Sequence, residues 1–243
     1  FPTKFKDALI TPIHKSKSKN DIENYRPISI LSVFSKLFEK IVLDHIYPTI
    51  SPYISNHQHG FLKKRSVLTN LLNFTEYVSH RLGDRLQVDA VYTDFSKAFD
   101  RVDHSILINK LYSVGIHGDL LRWFISYVKN RQQAVVVGGC KSNFTRVPSG
   151  VPQGSHLGPI LFNIYIYDIQ FCFQSSHFSG FADDMKIYAT INNINDCINL
   201  QNDINRLSVY CYKNKIDINV SKCALLTFSR KNTLITHSYS ING

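Results

Sequence analysis

The sequence predicts an α+β fold in which a split βαβ sheet is layered against helices. From residue 86 onward, the hydrophobic pattern gives the order strand, helices, hairpin, helix, strand. The strands are recognised by a two-residue alternation of apolar residues and the helices by a spacing of three to four. The chain has 243 residues, of which 44% are apolar and 19% charged, and these values are typical of one large or two small globular domains.

The first third of the chain predicts two strands and two helices. The strands are expected at 8–13 and 25–31, joined by a basic loop at 14–21. A helix follows, in which four apolar residues keep helical spacing: Leu31, Phe34, Phe38 and Ile41. A second basic patch at 62–66 precedes a helical stretch at about 66–82.

The rest of the chain supplies the predicted sheet. A strand is expected at 86–94, because Leu86, Val88, Ala90 and Tyr92 alternate with other residues. The later elements are helices at about 103–114, 118–130 and 156–172, a hairpin from 133–139 and 143–149, and a second hairpin at 177–190. A helix with Ile194, Ile198, Leu207 and Cys211 turned inward comes next, and a strand at about 223–228 ends the pattern.

The charge balance points to a polyanionic partner. The chain carries 28 Lys and Arg against 18 Asp and Glu, a net charge of +10, which favours nucleic acid or an anionic membrane surface. No signal peptide is recognisable, and the apolar run at 159–173 is too short and too polar to span a bilayer. The five cysteines form no CxxC pair and are expected to be reduced, as in a cytosolic or nuclear protein. Because the chain starts with Phe1, we expect it to be a piece of a longer protein.

Three aspartates are candidates for chemistry. Asp183 and Asp184 lie at the tip of the 177–190 hairpin, and Asp94 ends the 86–94 strand. Each has a simple structural explanation, because aspartate is common in tight turns and at strand ends. Asp100 and Asp103 can likewise open the helix that follows them.

The predicted topology nevertheless brings the three acids together. In a split βαβ sheet the first strand and the central hairpin are neighbours. Three carboxylates at one edge repel each other unless a divalent cation neutralises them. Mg²⁺ prefers carboxylate, phosphate and water oxygens, and two such ions about 3.5–4 Å apart stabilise the attacking and leaving oxygens of a phosphoryl displacement.

Five segments, in order, resemble the motifs of reverse transcriptases. "YTDFSKAFDRVDH", "SGVPQGSHLGPILFNIYIYDI" and "FADDMKIY" resemble the palm motifs. "NYRPISILSVFSKLFEKIV" and "QHGFLKKRSVLTNLL" resemble the fingers segments of non-LTR (LINE-like) retrotransposons of the jockey/CR1 type. The resemblance spans residues about 8–230.

The resemblance implies a right-hand polymerase with fingers and palm. The palm would be a split-βαβ, ferredoxin-like antiparallel sheet with helices on one face, and the thumb would be absent or incomplete. The implied domains are fingers at 1–85, with further fingers elements interleaved at about 115–150, palm at 86–230, and the truncated start of a palm-to-thumb connection at 231–243. The chain is also too short for an added endonuclease or RNase H domain.

The implied activity is that of an RNA-directed DNA polymerase. A primer 3′-OH would attack the α-phosphate of a dNTP and release pyrophosphate. Asp94, Asp183 and Asp184 would be the catalytic residues and would hold two Mg²⁺ ions, with Mn²⁺ as the other candidate metal.

Further residues acquire roles from the same resemblance. Those implied to bind the dNTP are Lys15, Arg26, Phe99, Gln153, Gly154 and Lys222. Phe99 would exclude a 2′-OH, and Lys222 would lie near the pyrophosphate. The template backbone would be contacted by Lys63, Lys64 and Arg65. The competing interpretations are a core aromatic for Phe99 and a solvated basic face for the cations.

The implied partners are an RNA template, a DNA primer, dNTPs and the rest of a retroelement polyprotein, including an endonuclease and a thumb, but no membrane. The location would be nuclear, cytoplasmic or both. Three other hypotheses stay open. They are a remnant that binds nucleic acid without polymerising, a group II intron or diversity-generating reverse transcriptase, and a basic RNA-binding module whose acids are turn residues.

Overall fold

The chain forms two compact units, each with its own sheet. The computed structural model describes residues 1–241, so residues 242–243 of the implied 231–243 connection lie outside it. In chain order the elements are β1 (Asp7–His14), β2 (Tyr25–Ile30), α1 (Val33–Ile50), α2 (Val67–Gly83), β3 (Gln87–Asp94), α3 (His104–Ser113), α4 (Gly118–Val128), β4 (Gln132–Val137), β5 (Cys140–Lys141), β6 (Thr145–Arg146), α5 (Gly158–Tyr165), β7 (His177–Phe181), β8 (Asp184–Ile191), α6 (Ile194–Lys213) and β9 (Ala224–Phe228). The first unit comprises Phe1–Tyr53 and Phe99–Tyr165, and the second comprises Ile54–Ala98 and the chain from Ile166 onward.

The second unit contains the predicted split βαβ sheet. Its strand order is β7-β8-β3-β9, and every neighbouring pair is antiparallel. The strand predicted from alternation at 86–94 and the hairpin predicted from the β-rich segments of 177–190 are therefore confirmed, and β3 lies beside β8 of the hairpin. This order is the one that a ferredoxin-like βαββαβ chain produces.

The core of the second unit explains why β3 is central. Phe74 and Val78 of α2 pack against Val88 and Ala90 of β3 and Tyr188 of β8. The alternate residues of β3 are buried as well, and α6 packs against β8. Residues on both faces of β3 are thus buried. The sequence predicts helices on one face of the sheet, and the structure has packed residues on the other face as well.

The inward face of α6 differs from the prediction. Leu207 and Cys211 are buried, but Ile194 and Ile198 are 49% and 45% exposed. The buried stripe instead follows a heptad spacing and consists of Cys197, Leu200, Ile204, Leu207 and Cys211. The prediction was wrong for the first turns of α6, because Ile194 and Ile198 were used to set the phase there, whereas the buried stripe runs through Cys197 and Leu200.

The first unit contains a mixed sheet of strand order β2-β1-β4-β5, with β6 also paired to β4. β1 and β2 are antiparallel, which confirms the two predicted N-terminal strands, and β1 and β4 are parallel. The predicted hairpin around residue 140 is confirmed, although its return strand is split into the short β5 and β6.

The apolar stripe of α1 is mostly exposed. Phe34 is 73% exposed and Ile41 59%, whereas Ser35 and Glu39 are fully buried. The Glu39 carboxylate accepts hydrogen bonds from the backbone N–H groups of His156, at 2.8 Å, and Leu157, at 3.4 Å. These bonds cap the chain just before α5, and the buried face of α1 combines this polar contact with the buried Ile46 and Ile50 of its second half.

The helix predicted at 156–172 is shorter in the structure. It ends at Tyr165, and a 3₁₀ segment follows at Tyr167–Cys172. Lys110 donates from Nζ to the Tyr165 carbonyl at 2.5 Å. This bond satisfies a carbonyl at the helix end from the side, so the chain can leave the helical path there. Within residues 1–241, none of the helices has both the length and the apolarity needed to cross a bilayer.

Candidate active site

The hairpin between β7 and β8 carries two of the three candidate acids. Phe181 pairs with Asp184, so Ala182 and Asp183 form a two-residue connection. Ala182 has a φ of 59°, in the left-handed region that a residue with a side chain seldom adopts. The turn therefore needs support from the residues around it.

The strand register places Asp94 directly opposite Asp184. The two residues are partners at the ends of β3 and β8, and Asp183 immediately precedes Asp184. Side chains opposite each other on adjacent antiparallel strands have Cβ atoms about 4.5–5.5 Å apart, and like charges in this position are destabilising. The sheet thus gathers the predicted acids at one end of the second unit.

The electrostatics of the acids reflect this crowding. Burial raises the pKa of the Asp183 carboxyl above its ordinary value, and the charges of Asp184 and Asp94 raise it further. Lys222 and a hydrogen bond from the backbone of Asp183 act in the opposite direction. Asp183 is therefore a carboxylate whose negative charge is costly in the metal-free protein.

Lys222 neutralises part of this charge. Its Nζ donates to Oδ2 of Asp94 at 2.5 Å, and the two side chains are 50% and 19% exposed. The lysine reaches Asp94 because it ends a 3₁₀ turn, Val220–Lys222, just before β9. The Asn219 N–H donates to the Asp94 carbonyl at 2.7 Å and holds this turn against the end of β3.

A cavity of about 380 Å³ opens beside Asp94 and Asp184 and contains a second lysine. Lys186 donates from Nζ to Oδ1 of Asn70 at 2.8 Å and lies 4.9 Å from the centre of the Phe74 ring. Burial lowers the pKa of Lys186, and Asp184 partly opposes this. Sequence reasoning missed Lys186 and Asn70. The signal for Lys186 is its place two residues after Asp184, on the same face of β8.

The donor types at this end of the sheet fit a hard divalent cation. Carboxylate oxygens are the ligands that Mg²⁺ and Mn²⁺ prefer in proteins. Within residues 1–241, no three His, Cys, Asp or Glu side chains converge closely enough to make a ready-formed metal site. One oxygen of Asp94 instead contacts Lys222. The backbone positions of Asp94, Asp183 and Asp184 therefore suit a cation, and one candidate ligand oxygen, Oδ2 of Asp94, accepts a hydrogen bond from Lys222.

In the first unit, Gln153 and Gly154 form a loop that is bound to β2. The Ser29 N–H donates to the Gln153 carbonyl at 2.8 Å, and Gln153 donates from Nε2 to Oδ1 of Asp100 at 2.9 Å. Gly154 has a φ of 115°, and a Cβ at this position would lie 2.8 Å from the Ser29 carbonyl oxygen. The close approach thus requires glycine.

Phe99 lies in the same part of the first unit. Its ring stacks on Phe162 with centroids 4.7 Å apart, and its carbonyl accepts from the Val151 N–H at 2.9 Å. Phe99 is half-buried, so the ring has both a packed face and an accessible part. Asp103, by contrast, is the N-cap of α3 and accepts from the N–H groups of Ser105 and Ile106.

The two candidate triphosphate cations are exposed on the β1–β2 hairpin. Arg26 pairs with Ile13 across the hairpin, and Lys15 follows β1, where its N–H donates to the Asn24 carbonyl at 2.8 Å. Lys15 and Arg26 thus share one end of the hairpin, whereas Phe99 and Gln153 are joined through Asp100.

The basic patch at 63–65 belongs to the second unit. Lys63 and Lys64 are exposed, and Lys64 has a φ of 63°. The Arg65 guanidinium donates to the carbonyls of Ser55, Asn56 and Gln58 and to Oδ1 of Asn56, at 2.6–3.1 Å. Arg65 therefore holds the loop from residue 55 to residue 65 in shape, a role that its charge alone did not indicate.

The folds of two solved telomerase structures are similar to the fold of this chain. The apo telomerase of Candida tropicalis, truncated from its C-terminal domain, matches with a TM-score of 0.65 and 13% identity over 96% of this chain and 52% of that one. The telomerase of Candida albicans in complex with a fragment of telomeric RNA matches with a TM-score of 0.65 and 14% identity over 99% of this chain and 46% of that one. At these identities the likeness concerns the fold alone.

The sequence comparisons are more specific. The chain is 30% identical to the "Probable RNA-directed DNA polymerase from transposon BS" of Drosophila melanogaster, over 95% of this chain and 27% of that protein. It is 27% identical to the "RNA-directed DNA polymerase from mobile element jockey" of the same species, over 100% of this chain and 28% of that protein. The chain therefore spans about a quarter of the length of these curated relatives. Residues 13–239 match the family described as "Reverse transcriptase (RNA-dependent DNA polymerase)", and the chain belongs to this family.

Proposed function

We propose that this chain carries the polymerising site of a non-LTR retrotransposon reverse transcriptase. The reaction joins a deoxynucleotide to a primer 3′-OH on an RNA template and releases pyrophosphate. The observation that carries the proposal is the pairing of Asp94 with Asp184 at the ends of β3 and β8, with Asp183 in the adjoining turn. A turn-only role for these acids does not account for two carboxylates placed opposite each other.

Reverse transcriptases use divalent metal ions. We propose that two Mg²⁺ ions, or Mn²⁺ in their place, are held by Asp94, Asp183 and Asp184. When bound, such ions supply charge stabilisation for the attacking and leaving oxygens. The three carboxylates would bind and orient the two ions. Oδ2 of Asp94 accepts a hydrogen bond from Lys222, so the lysine would have to leave this oxygen before it could become a ligand.

Lys222 then becomes available for a second task. Its side chain is half-exposed and long enough to turn from Asp94 towards a bound anion. We propose that its ammonium group contacts the pyrophosphate as the latter leaves, since a lysine is a mobile point charge suited to phosphate oxygens.

A prediction follows for metal binding. Replacing Lys222 with Gln removes the cation that competes for Asp94, so Mn²⁺ is expected to bind about two- to fivefold more tightly, as suits a partly exposed ion pair. Mn²⁺ titration followed by electron paramagnetic resonance measures this. Lys213→Gln is the control, because it makes the same charge change at an exposed position of α6. An equal change in Mn²⁺ affinity in both variants would show that the effect comes from the net charge of the protein and not from the contact between Lys222 and Asp94.

The nucleotide contacts are proposed for the first unit. Arg26 and Lys15 would bind the triphosphate, because guanidinium and ammonium groups suit phosphate oxygens. Gln153 and Gly154 would line the dNTP and template pocket, where glycine permits close approach of the backbone. The exposed position of both cations supports their availability.

Phe99 is proposed to exclude ribonucleotides. Phe99→Val is expected to reduce the preference for dNTP over NTP on the order of 10²-fold, because the smaller side chain leaves room for a 2′-OH. Single-nucleotide incorporation with matched dNTP and NTP measures the ratio. Phe124→Val, a fully buried change in α4, controls for lost packing and should leave the ratio unchanged. If Phe99→Val leaves the preference for dNTP over NTP unchanged, Phe99 is a core aromatic residue and does not exclude ribonucleotides.

The template contacts are proposed for the loop after residue 60. Lys63 and Lys64 would contact the phosphate backbone, with Arg65 holding their loop, and such contacts weaken as salt rises. The proposed partners are an RNA template, a DNA primer and dNTPs, together with the endonuclease and thumb regions of a retroelement polyprotein.

The proposed domain division follows the resemblance. The fingers would comprise residues 1–85, with interleaved elements at about 115–150, the palm would comprise 86–230, and a palm-to-thumb connection would begin at 231.

The direct test is primer extension on an RNA template with dNTPs and Mg²⁺. Metal-dependent extension by the full chain supports the proposal. Salt-sensitive binding of primer–template without extension favours the remnant that no longer polymerises. A chain that neither extends nor binds would contradict both.

A further inference from the structure

Residues 57–60, in the loop before α2, lie against β7, the strand that leads to the Ala182–Asp183 turn. The His59 N–H donates to the Gly180 carbonyl, and the Gly180 N–H donates to the His57 carbonyl, both at 2.8 Å. Gln58 and Gly180 thus form a parallel bridge, which adds the 57–60 segment to the sheet at the edge formed by β7. Residues 57–60 are therefore held in register with the end of β7.

The Gln58 side chain reaches from this segment into the turn. Its Oε1 accepts from the Ala182 N–H at 2.9 Å, and its Nε2 donates to the Ala182 carbonyl at 3.1 Å. The same Oε1 accepts from the Gly60 N–H at 2.8 Å, and Gln58 is only 6% exposed. One buried amide thus satisfies both backbone polar groups of the residue that directly precedes Asp183.

Ala182 needs such support. Its left-handed conformation costs on the order of 1 kcal/mol for a residue with a Cβ, and such conformations persist only where the surroundings determine them. Gly60 lies so close that a Cβ there would be 2.2 Å from the Ala182 nitrogen. The turn is therefore clamped between its own hairpin and the 57–60 segment.

We propose that Gln58 is a positioning residue that holds the Ala182–Asp183 turn in the conformation that keeps Asp183 and Asp184 beside Asp94. The effect on catalysis rests on the proposed polymerase function, whereas the effect on the conformation of the turn does not. Gln58 acts through Ala182 and does not touch the reacting groups. The hydrogen bonds are directed at the turn itself, which distinguishes this role from general packing.

The test compares Gln58→Met with a matched variant, Gln87→Met, in the full chain. Gln87 is also a buried amide of the second unit, with Nε2 donating to Asp89 and the Ile235 carbonyl and Oε1 accepting from the Ile235 N–H. It begins β3, at the opposite end from Asp94. Both substitutions remove three side-chain hydrogen bonds and leave a side chain of similar length.

Two measurements separate the outcomes. Hydrogen exchange of the Ala182 amide is expected to rise about tenfold or more in Gln58→Met and to stay unchanged in Gln87→Met. In primer extension, kcat is expected to fall on the order of 10²-fold in Gln58→Met, with KM for dNTP nearly unchanged, because misplaced catalytic groups lower kcat. Gln87→Met should change kcat by no more than about threefold.

Unchanged exchange at Ala182 in Gln58→Met, or an equal loss of kcat in both variants, would overturn the proposal. If the wild-type chain does not extend primers, the proposed function fails while the exchange experiment still decides the role of Gln58. If Gln58→Met does not fold, Gln58→Asn replaces it, since the shorter amide cannot span both groups of Ala182. The same local rise in exchange is then expected, and its absence counts against the proposal.

Discussion

Replacing Asp183 and Asp184 together with Asn is expected to abolish primer extension and to raise the thermal stability of the metal-free protein. Activity should fall by more than about 10³-fold, because the carboxylates proposed to hold the metal ions are removed and the charge stabilisation such ions supply amounts to several kcal/mol. Stability should rise by about 0.5–1 kcal/mol, since the exchange removes the repulsion between Asp184 and Asp94. It also removes the negative charge of Asp183, whose pKa burial raises.

Primer extension with Mg²⁺ and thermal unfolding in a chelator measure the two effects. Asp119→Asn is the matched control, because the Asp119 side chain is 94% exposed on α4 and pairs with Arg122 of the same helix. This control should leave extension unchanged and stability within about 0.5 kcal/mol of wild type. Continued extension by the double variant, or a fall in its stability, would contradict the idea that these acids are retained at an energetic cost for catalysis.

The largest expected loss of stability comes from Asp203→Asn. Asp203 is a fully buried carboxylate that accepts from the N–H groups of Gln174, Ser175 and Ser176, at 2.8–3.0 Å, and from the Ser176 hydroxyl at 2.7 Å. It also pairs with Arg206. An uncharged amide offers one acceptor oxygen for these donors, so the free energy of unfolding should fall by about 3 kcal/mol.

The pH dependence provides a second readout for Asp203. Burial alone would raise the pKa of its carboxyl, but the hydrogen bonds from Ser176, Gln174, Ser175 and Arg206 outweigh burial and lower it. A carboxyl whose folded pKa is depressed stabilises the protein above its unfolded pKa, about 3.9, and loses this contribution as pH falls through the folded pKa. The difference in stability between wild type and Asp203→Asn should therefore shrink below about pH 4.

Denaturant unfolding at several pH values tests this. Asp44→Asn, which alters an exposed carboxylate on α1, is the control and should change stability by less than about 0.5 kcal/mol. A difference between wild type and Asp203→Asn that stays constant from neutral pH to pH 3 would show that the charge of Asp203 is not what its donors stabilise.

Local patterns were sufficient for the sheet that carries the candidate site. Alternation identified β3, β-rich segments around Asp183 and Asp184 identified the β7–β8 hairpin, and the order of elements then placed Asp94 next to Asp184. This works because alternation reports burial on a sheet, and because a split βαβ arrangement places its first strand beside its central hairpin. The motif residues around the acids also sufficed to identify the family.

Longer-range polar contacts were beyond sequence reasoning. Glu39 on the buried face of α1 accepts hydrogen bonds from residues 156 and 157, and Lys110 donates to the carbonyl at the end of α5. Gln58 lies in a segment that resembles a fingers motif, yet its amide binds Ala182, 124 residues further along the chain. A single sequence holds no periodic signal for contacts of this kind.

The sequence by itself thus determined the fold class, the family and the positions of the three candidate acids, because these depend on local periodicity and on motif order. Only the tertiary structure decided which groups surround those acids. It showed that Lys222 pairs with Asp94, that Lys186 lines the adjoining cavity, and that the Gln58 amide is hydrogen-bonded to Ala182 in the turn. The physical reason is that directional hydrogen bonds and ion pairs depend on distances between residues far apart in the chain, which only the packing of the elements defines.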